Sequence, residues 1–244
     1  MSSESLPLFD DSEITRVLCV AAHPDDMEYG GSAAAARWSA RGVEVSYLLL
    51  TAGEAGMRSR HPEEAAALRA REQQEACAVV GVEDLKILDF PDGTLQSDLA
   101  TRQAIARHIR QLKPDLVLTQ TWDLEVSWGL NHADHRATGL ATVDAIRDAD
   151  NPWVFPELAQ QGFEPWAVSW LLVFGGSADH LVDVSGEPLQ RGIASLEAHA
   201  QYLAELGGDF DPRMMLESMT EAAAQRSADP LVSHALPVAV YPMS

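Results

Sequence analysis

The sequence predicts an α/β fold with a mainly parallel sheet and helices on both faces. Three observations carry this. Apolar runs of strand length alternate with helix-length segments from residue 16 to 149, the rhythm of successive βα units. The runs are continuous, as in Val17-Leu18-Cys19-Val20 and Tyr47-Leu48-Leu49-Leu50, as parallel strands covered on both faces require. Gly42 and Gly81 stand just past two of the helical segments, where helices end. The 244 residues suffice for a large buried core and read as one domain, 1–244, with 1–13 a loose leader.

The elements follow in order. A strand over 16–22 runs into His23-Pro24-Asp25-Asp26, and an Ala-rich helix over 29–41 stops at Gly42. Residues 43–50 form the second strand, followed by a glycine-punctuated loop, 51–60. Pro62 fits the first turn of a helix to Val80, since its missing N–H costs nothing there. A short strand over 85–88 leads into the turn Phe90-Pro91-Asp92-Gly93. A helix over 98–112, a strand over 115–119, a polar and aromatic loop over 120–131 and a helix over 133–149 come next. Residues 150–166, with three prolines and two tryptophans, read as surface chain. Strands over 167–174 and 180–184 precede a helix over 187–206, and 207–244 carries no clear period.

With 17 basic against 37 acidic residues the net charge is −20, which argues against a nucleic-acid or anionic-membrane partner. The first fifteen residues lack a basic, apolar-cored signal peptide, and no apolar stretch approaches a membrane span. Cys19, in a buried strand, and Cys77, on a helix, suggest a reduced, cytoplasmic protein. A homo-oligomer stays open.

Two motifs carry chemistry. His23-Pro24-Asp25-Asp26 lies where the first strand turns into the first helix, the edge at which open α/β sheets bind ligands. Asn131-His132-Ala133-Asp134-His135 follows the fourth strand at the same edge. His23, Asp26 and His135 make a His₂Asp donor set, and three protein ligands with an open position suit a catalytic zinc. Iron(II) suits such donors about as well. Zinc brings bound water to a pKa of about 7. Asp25 can then carry a proton from water to a leaving nitrogen. His132, as an imidazolium, can stabilise an oxyanion, with Asp134 orienting it and favouring its charged form. Singly, each motif has a plainer use: Asp25 or Asp26 can cap the first helix, and His132 and His135 can be polar residues at a helix mouth. The complementary donors at one sheet edge favour the metal reading.

These motifs resemble those of the LmbE/PIG-L family of zinc-dependent N-deacetylases, whose members act on N-acetylglucosaminyl conjugates, including those of mycothiol and bacillithiol metabolism. Thr51-Ala52-Gly53-Glu54-Ala55-Gly56 is similar to its T-x-G-E-x-G loop, Arg69-Ala70-Arg71-Glu72 to its R-x-x-E helix, and Phe90-Pro91-Asp92-Gly93 to its aromatic-P-D-G turn. Asp183-Val184-Ser185 and Leu196-Glu197-Ala198-His199-Ala200-Gln201 resemble two later segments. The resemblance implies a Rossmann-like three-layer fold that binds no dinucleotide. It implies the roles already given to His23, Asp25, Asp26, His132 and His135. It adds Arg69 and Asp92 as substrate contacts and Glu54 as a group supporting or lining the pocket, while Pro-Asp-Gly is also an ordinary turn. His199 reads as a helix histidine, although some members of the family bring a histidine from the C-terminal half near the site. Glu28 fits an H-P-D-D-x-E variant, Ala133 replaces the common proline, and the tail lacks the usual A-E-x-F ending.

The expected function is a metal-dependent hydrolase removing an acetyl or short acyl group from an N-acetylglucosamine-type sugar conjugate. Trp122 and Trp128 are positioned to stack on a sugar, though burial is the commoner fate of loop tryptophans. An amidase of a larger thiol conjugate, or a deacylase of secondary metabolism, would use the same residues. A non-catalytic metal- or ligand-binding domain would lack part of the catalytic set, and a nucleotide-binding domain would need a G-x-G-x-x-G after the first strand.

Overall fold

The structure, a computed structural model, describes residues 5–207 and 211–243. Its elements are β1 (Arg16–Ala21), α1 (Gly31–Ala40), β2 (Glu44–Leu49), α2 (Pro62–Val80), β3 (Asp84–Ile87), α3 (Leu99–Leu112) and β4 (Leu116–Gln120). A hairpin of β5 (Glu125–Val126) and β6 (Gly129–Leu130) precedes α4 (Ala133–Asp150) and α5 (Pro156–Gln160). Then come β7 (Trp170–Phe174), β8 (His180–Asp183), α6 (Glu187–Glu197), α7 (Ala200–Leu206), α8 (Pro212–Ala224) and β9 (Ala235–Pro242).

Seven strands form one sheet in the order β3-β2-β1-β4-β7-β9-β8. The first five are mutually parallel, and β9 runs antiparallel between β7 and β8. Strand order reverses between β1 and β4, so a crevice opens beyond their carboxyl ends, the switch point at which such sheets bind ligands. Both histidine motifs leave from these two strands.

Two apolar layers hold the helices on. On one face Ala33–Ala36, Trp38, Cys77 and Val80 cover Cys19, Tyr47 and Leu118. On the other, Ile105, Ile109, Ala141 and Ala145 cover Leu18, Val20, Leu48 and Val117. A Cβ on Gly192 would lie 2.9–3.1 Å from Ala33 atoms, so glycine sets how closely α6 approaches α1. Cys19 and Cys77 are free and buried. Among the described residues no helix is long and apolar enough to cross a membrane.

Three expectations need correction. The leader is packed over residues 5–13, while 1–4 lie outside the described residues. Leu6 and Phe9 are buried, Leu8 bridges to Leu181, and Phe9 meets Trp170 edge-on at 5.6 Å. This strap pairs with β8, the last strand of the sheet, whose open edge would otherwise expose unpaired backbone groups. The helix expected over 187–206 breaks at Ala198–His199, because Glu72 of α2 accepts the backbone N–H groups of Gln201 (2.7 Å) and Tyr202 (3.3 Å) and starts a new helix there. The tail is built in as α8 and β9.

Asp11 fixes the strap, accepting from Arg37 Nε (3.1 Å), Trp38 Nε1 (2.9 Å) and Arg41. Burial alone would raise its carboxyl, but these partners hold it below its ordinary value. The stabilisation is therefore present above about pH 4 and is lost as pH falls through the lowered folded value. Asp11→Ala is expected to cost about 2–3 kcal/mol at pH 7, less than a fully buried pair because both arginines are part-exposed. Urea unfolding at pH 7 and pH 2.5 checks this: the gap to wild type should shrink at low pH, and a loss under about 0.5 kcal/mol at pH 7 would refute it.

Candidate active site

The turn after β1 is shaped by its own side chains. Asp26 Oδ2 accepts the backbone N–H of His23 (2.8 Å), and Asp25 adopts φ +85°, a left-handed conformation that Asp tolerates better than most residues. Helix α1 is capped by Gly30 without a side-chain bond. Neither Asp25 nor Asp26 is used as a cap.

The two motifs meet. His23 Nδ1 lies 3.3 Å from Asp26 Oδ2, and His135 Nε2 lies 3.1 Å from Asp26 Oδ1. The other nitrogen of each ring is held from behind. His23 Nε2 donates to Asp92 Oδ1 (3.0 Å) and Asp134 Oδ2 (3.3 Å). His135 Nδ1 donates to Asn131 Oδ1 (3.1 Å), whose amide is fixed because its Nδ2 donates to the carbonyls of Thr121 and Asp123. Outer partners of this kind orient metal-binding imidazoles. The donor atoms of His23, Asp26 and His135 all lie within 4.8 Å of one another, as do those of His23, His132 and Asp134. The first set fits an ion better, because both imidazoles turn one nitrogen to the same carboxylate, whereas Asp134 is already spent.

Asp134 is fully buried, and it accepts from Gly93 N (2.7 Å) and Leu95 N (3.1 Å) besides His23. Its carboxylate thus holds His23 and the Asp92 turn, correcting the expectation that it orients His132. His132 caps α4, with Nδ1 accepting the Asp134 N–H at 3.3 Å. A ring nitrogen that accepts carries no proton, so His132 is a neutral imidazole with its hydrogen on Nε2. Burial, His23 and His135 also push it below its ordinary value. This corrects the expected imidazolium.

Arg69 and Asp92 are likewise turned inward. Arg69, 2% exposed, donates to Asp25 Oδ1 (2.8 Å), Gly53 O (2.9 Å) and Pro24 O, and lies 3.9 Å over the Tyr202 ring. A Cβ on Gly53, whose φ is +65°, would fall on its guanidinium; that is why the loop needs glycine. Asp92 divides its oxygens between His23 and Ala55 N (2.7 Å), and Glu54 accepts the Asp92 N–H (2.9 Å). Neither Arg69 nor Asp92 offers the expected free contact to substrate, while Glu54 supports the turn. Trp122 is half-buried against the core and Tyr241; Trp128, on the hairpin, is 63% exposed.

The adjacent carboxylates are pushed apart. Burial, opposed by Arg69 and reinforced by Asp26, raises Asp25 to about 7. Burial would raise Asp26 too, but His135 and His23 hold it well below the carboxylate range. Burial would lower His23, yet Asp26, Asp134 and Asp92 raise it to about 12. This cage of carboxylates favours positive charge. Its donors come from the turn after β1 and the first turn of α4, and His132 and His135 leave it open to solvent.

Residues 18–146, more than half of the chain, match the PIG-L family, described as GlcNAc-PI de-N-acetylase. The chain belongs to this family. PIG-L relatives include a diacetylchitobiose deacetylase of Thermococcus kodakarensis, 28% identical over 179 residues, which cover 71% of this chain and 65% of that protein. A probable N-acetyl-α-D-glucosaminyl L-malate deacetylase 2 of Bacillus anthracis is 28% identical over 195 residues, covering 77% and 81%. The chain thus spans slightly less than two thirds of the Thermococcus protein. Among solved structures, the N,N′-diacetylchitobiose deacetylase of Pyrococcus horikoshii superposes with a TM-score of 0.83 at 22% identity, covering 95% of this chain and 85% of that one, a likeness of fold. Asn131 and Gln73 went unassigned in the sequence. The four-residue spacing of Asn131 and His135 at a helix start is a signal for the first; nothing in the sequence pairs Gln73 with Asp25.

Proposed function

We propose that the chain, read as one domain over 1–244, is a zinc-dependent N-deacetylase acting on an N-acetylglucosamine-type sugar conjugate. The observation that carries this reading is the opposed pair of imidazoles. His23 and His135 are each held from behind and face Asp26, while Asp25 stands beside them with a carboxyl raised to about 7. His23 Nδ1, Asp26 and His135 Nε2 would hold the ion. Zinc bound there supplies a Lewis acid that brings water toward ionisation near neutral pH.

The chain's own groups do the rest. Asp25 accepts the proton of the attacking water and delivers it to the leaving nitrogen, a task suited to a carboxyl near 7. Its neighbour Asp26, kept ionised, is the ligand; two adjacent carboxylates take two roles because their surroundings differ. Arg69 fixes Asp25 from the protein side. His132 presents Nε2–H to the oxyanion of the tetrahedral intermediate. Asp92 and Asp134 hold His23, and Glu54 holds the Asp92 turn. The exposed Trp128 offers its ring to a sugar.

The test is metal content of the purified protein alongside amine release from N-acetylglucosamine, diacetylchitobiose and N-acetylglucosaminyl malate. About one zinc per chain and chelator-sensitive amine release, restored by zinc, are expected. No bound metal after reconstitution with zinc or iron(II) would overturn the metal reading. One metal without amine release from any of the three would overturn the substrate class.

A further inference from the structure

Behind the metal donors lies a buried polar chain that the mechanism above does not use. The backbone N–H of Asp25 donates to Gln73 Oε1 (3.0 Å), and Gln73 Nε2 donates to Glu28 Oε1 (3.1 Å). Ser195 Oγ, whose one proton lies between two acceptors, is 3.2 Å from the same Glu28 oxygen and 3.0 Å from the Ala76 carbonyl. The second Glu28 oxygen has no hydrogen-bond partner but faces His199 Nε2 at 3.7 Å. Gln73, Glu28, Ser195 and His199 are all fully buried. They come from α2, the turn after β1, α6 and the break before α7, so four segments converge behind one backbone amide.

The direction of these bonds is forced. A backbone N–H only donates, so the Gln73 amide turns its oxygen to Asp25 and its NH₂ to Glu28. Glu28 therefore locks the Gln73 amide, and Gln73 in turn holds the N–H of a non-glycine residue at φ +85°. That conformation is disfavoured for a residue with a side chain and persists only where its surroundings impose it. Arg69 fixes the Asp25 carboxylate; Gln73 fixes the backbone that carries it. We propose that Gln73, oriented by Glu28, is a positioning residue that keeps the Asp25 carboxylate aligned with the metal donors. The proposal rests on the reading of Asp25 as the proton carrier.

The experiment uses three variants of the full chain loaded with zinc. Gln73→Met removes the bonds to Asp25 N and Glu28, and a long one to Cys77 Sγ, at similar volume. It should lower kcat about 10–100-fold, the scale of a misplacement near 1 Å, with KM within about twofold and metal content unchanged. The Asp25 amide should lose its protection from hydrogen exchange, a readout that does not need turnover. Gln73→Glu sets two carboxylates together and should also be impaired. Gln73→Glu combined with Glu28→Gln restores the order of donors: the new carboxylate accepts from Asp25 N–H and from the new amide. This double variant should recover at least about tenfold in kcat over Gln73→Glu, together with Asp25 amide protection. Wild-type kcat in Gln73→Met, or a double variant no better than Gln73→Glu, would overturn the positioning role. If the wild type holds zinc but releases no amine, the deacetylase reading falls, and exchange at the Asp25 amide still decides whether Gln73 holds it.

Discussion

Asp25→Asn should lower kcat for amine release by about 10²–10⁴-fold, the usual worth of a positioned acid or base, and should leave about one metal per chain. His135→Ala should lose turnover and metal together. The contrast follows from where the two side chains point. His135 Nε2 faces Asp26 with its other nitrogen held by Asn131, so its removal takes away a donor. The Asp25 carboxylate is turned to Arg69 at 2.8 Å and stands beside the donor set. An amide in its place keeps the shape and the Arg69 contact but cannot exchange a proton. The pH profile carries the same content. Burial, and Asp26 beside it, raise Asp25 to about 7 against the pull of Arg69. With Asp25 as the proposed base, its carboxylate is scarce below that pH, so wild-type kcat should climb through about pH 7, and the Asp25→Asn variant should lack that limb. Metal analysis and kcat on the three proteins decide the matter. Wild-type turnover in Asp25→Asn, or equal metal loss in Asp25→Asn and His135→Ala, would sink the assignment.

The parts of this site that were legible in the sequence are those set by residue type and strand end. His23 directly after β1, and His132 and His135 after β4, fall beside each other because the parallel order places those strands next to one another. What a side chain faces was not legible. Arg69 and Asp92 are of types that suit a substrate, yet both are consumed inside by partners 16 to 69 residues away in sequence. The fold shows the same division. Helices and parallel strands up to α4 lie within a few residues of their expected bounds, because the helices have a glycine or proline just past their ends and most of the strands a continuous apolar run. Strand β9 was hidden by Pro237 and Pro242, residues that argue against an interior strand; it lies between β7 and β8 all the same. The strap over 5–13 has no period of its own and is fixed by β8, far away in sequence. The break at His199 has no proline or glycine to announce it. It comes from Glu72, which draws the start of α7 onto α2.

His199→Leu should destabilise the protein by about 3–4 kcal/mol at pH 6, the scale expected when one partner of a buried pair is removed. His199 and Glu28 are both fully buried, 3.7 Å apart. Burial would lower the His199 imidazole, but Glu28 outweighs it and holds it above its ordinary value. A raised folded value means the stabilisation is complete below the unfolded value near 6.5 and is lost as pH rises through the folded one. The gap between wild type and His199→Leu should therefore be full at pH 6 and narrow toward pH 9, as urea unfolding at both would show. A gap under about 1 kcal/mol at pH 6, or one equally large at pH 9, would refute the charged pairing. A buried ion pair is often no better for stability than apolar residues of similar volume. Glu28→Met with His199→Leu should accordingly regain much of the lost stability. It should not regain turnover, since the Gln73 amide that holds Asp25 then loses its Glu28 acceptor and keeps only the weaker Cys77 Sγ at 3.6 Å. On this argument Glu28 persists at the back of the site because it keeps one backbone amide in one orientation, and His199 is the group that faces its second oxygen.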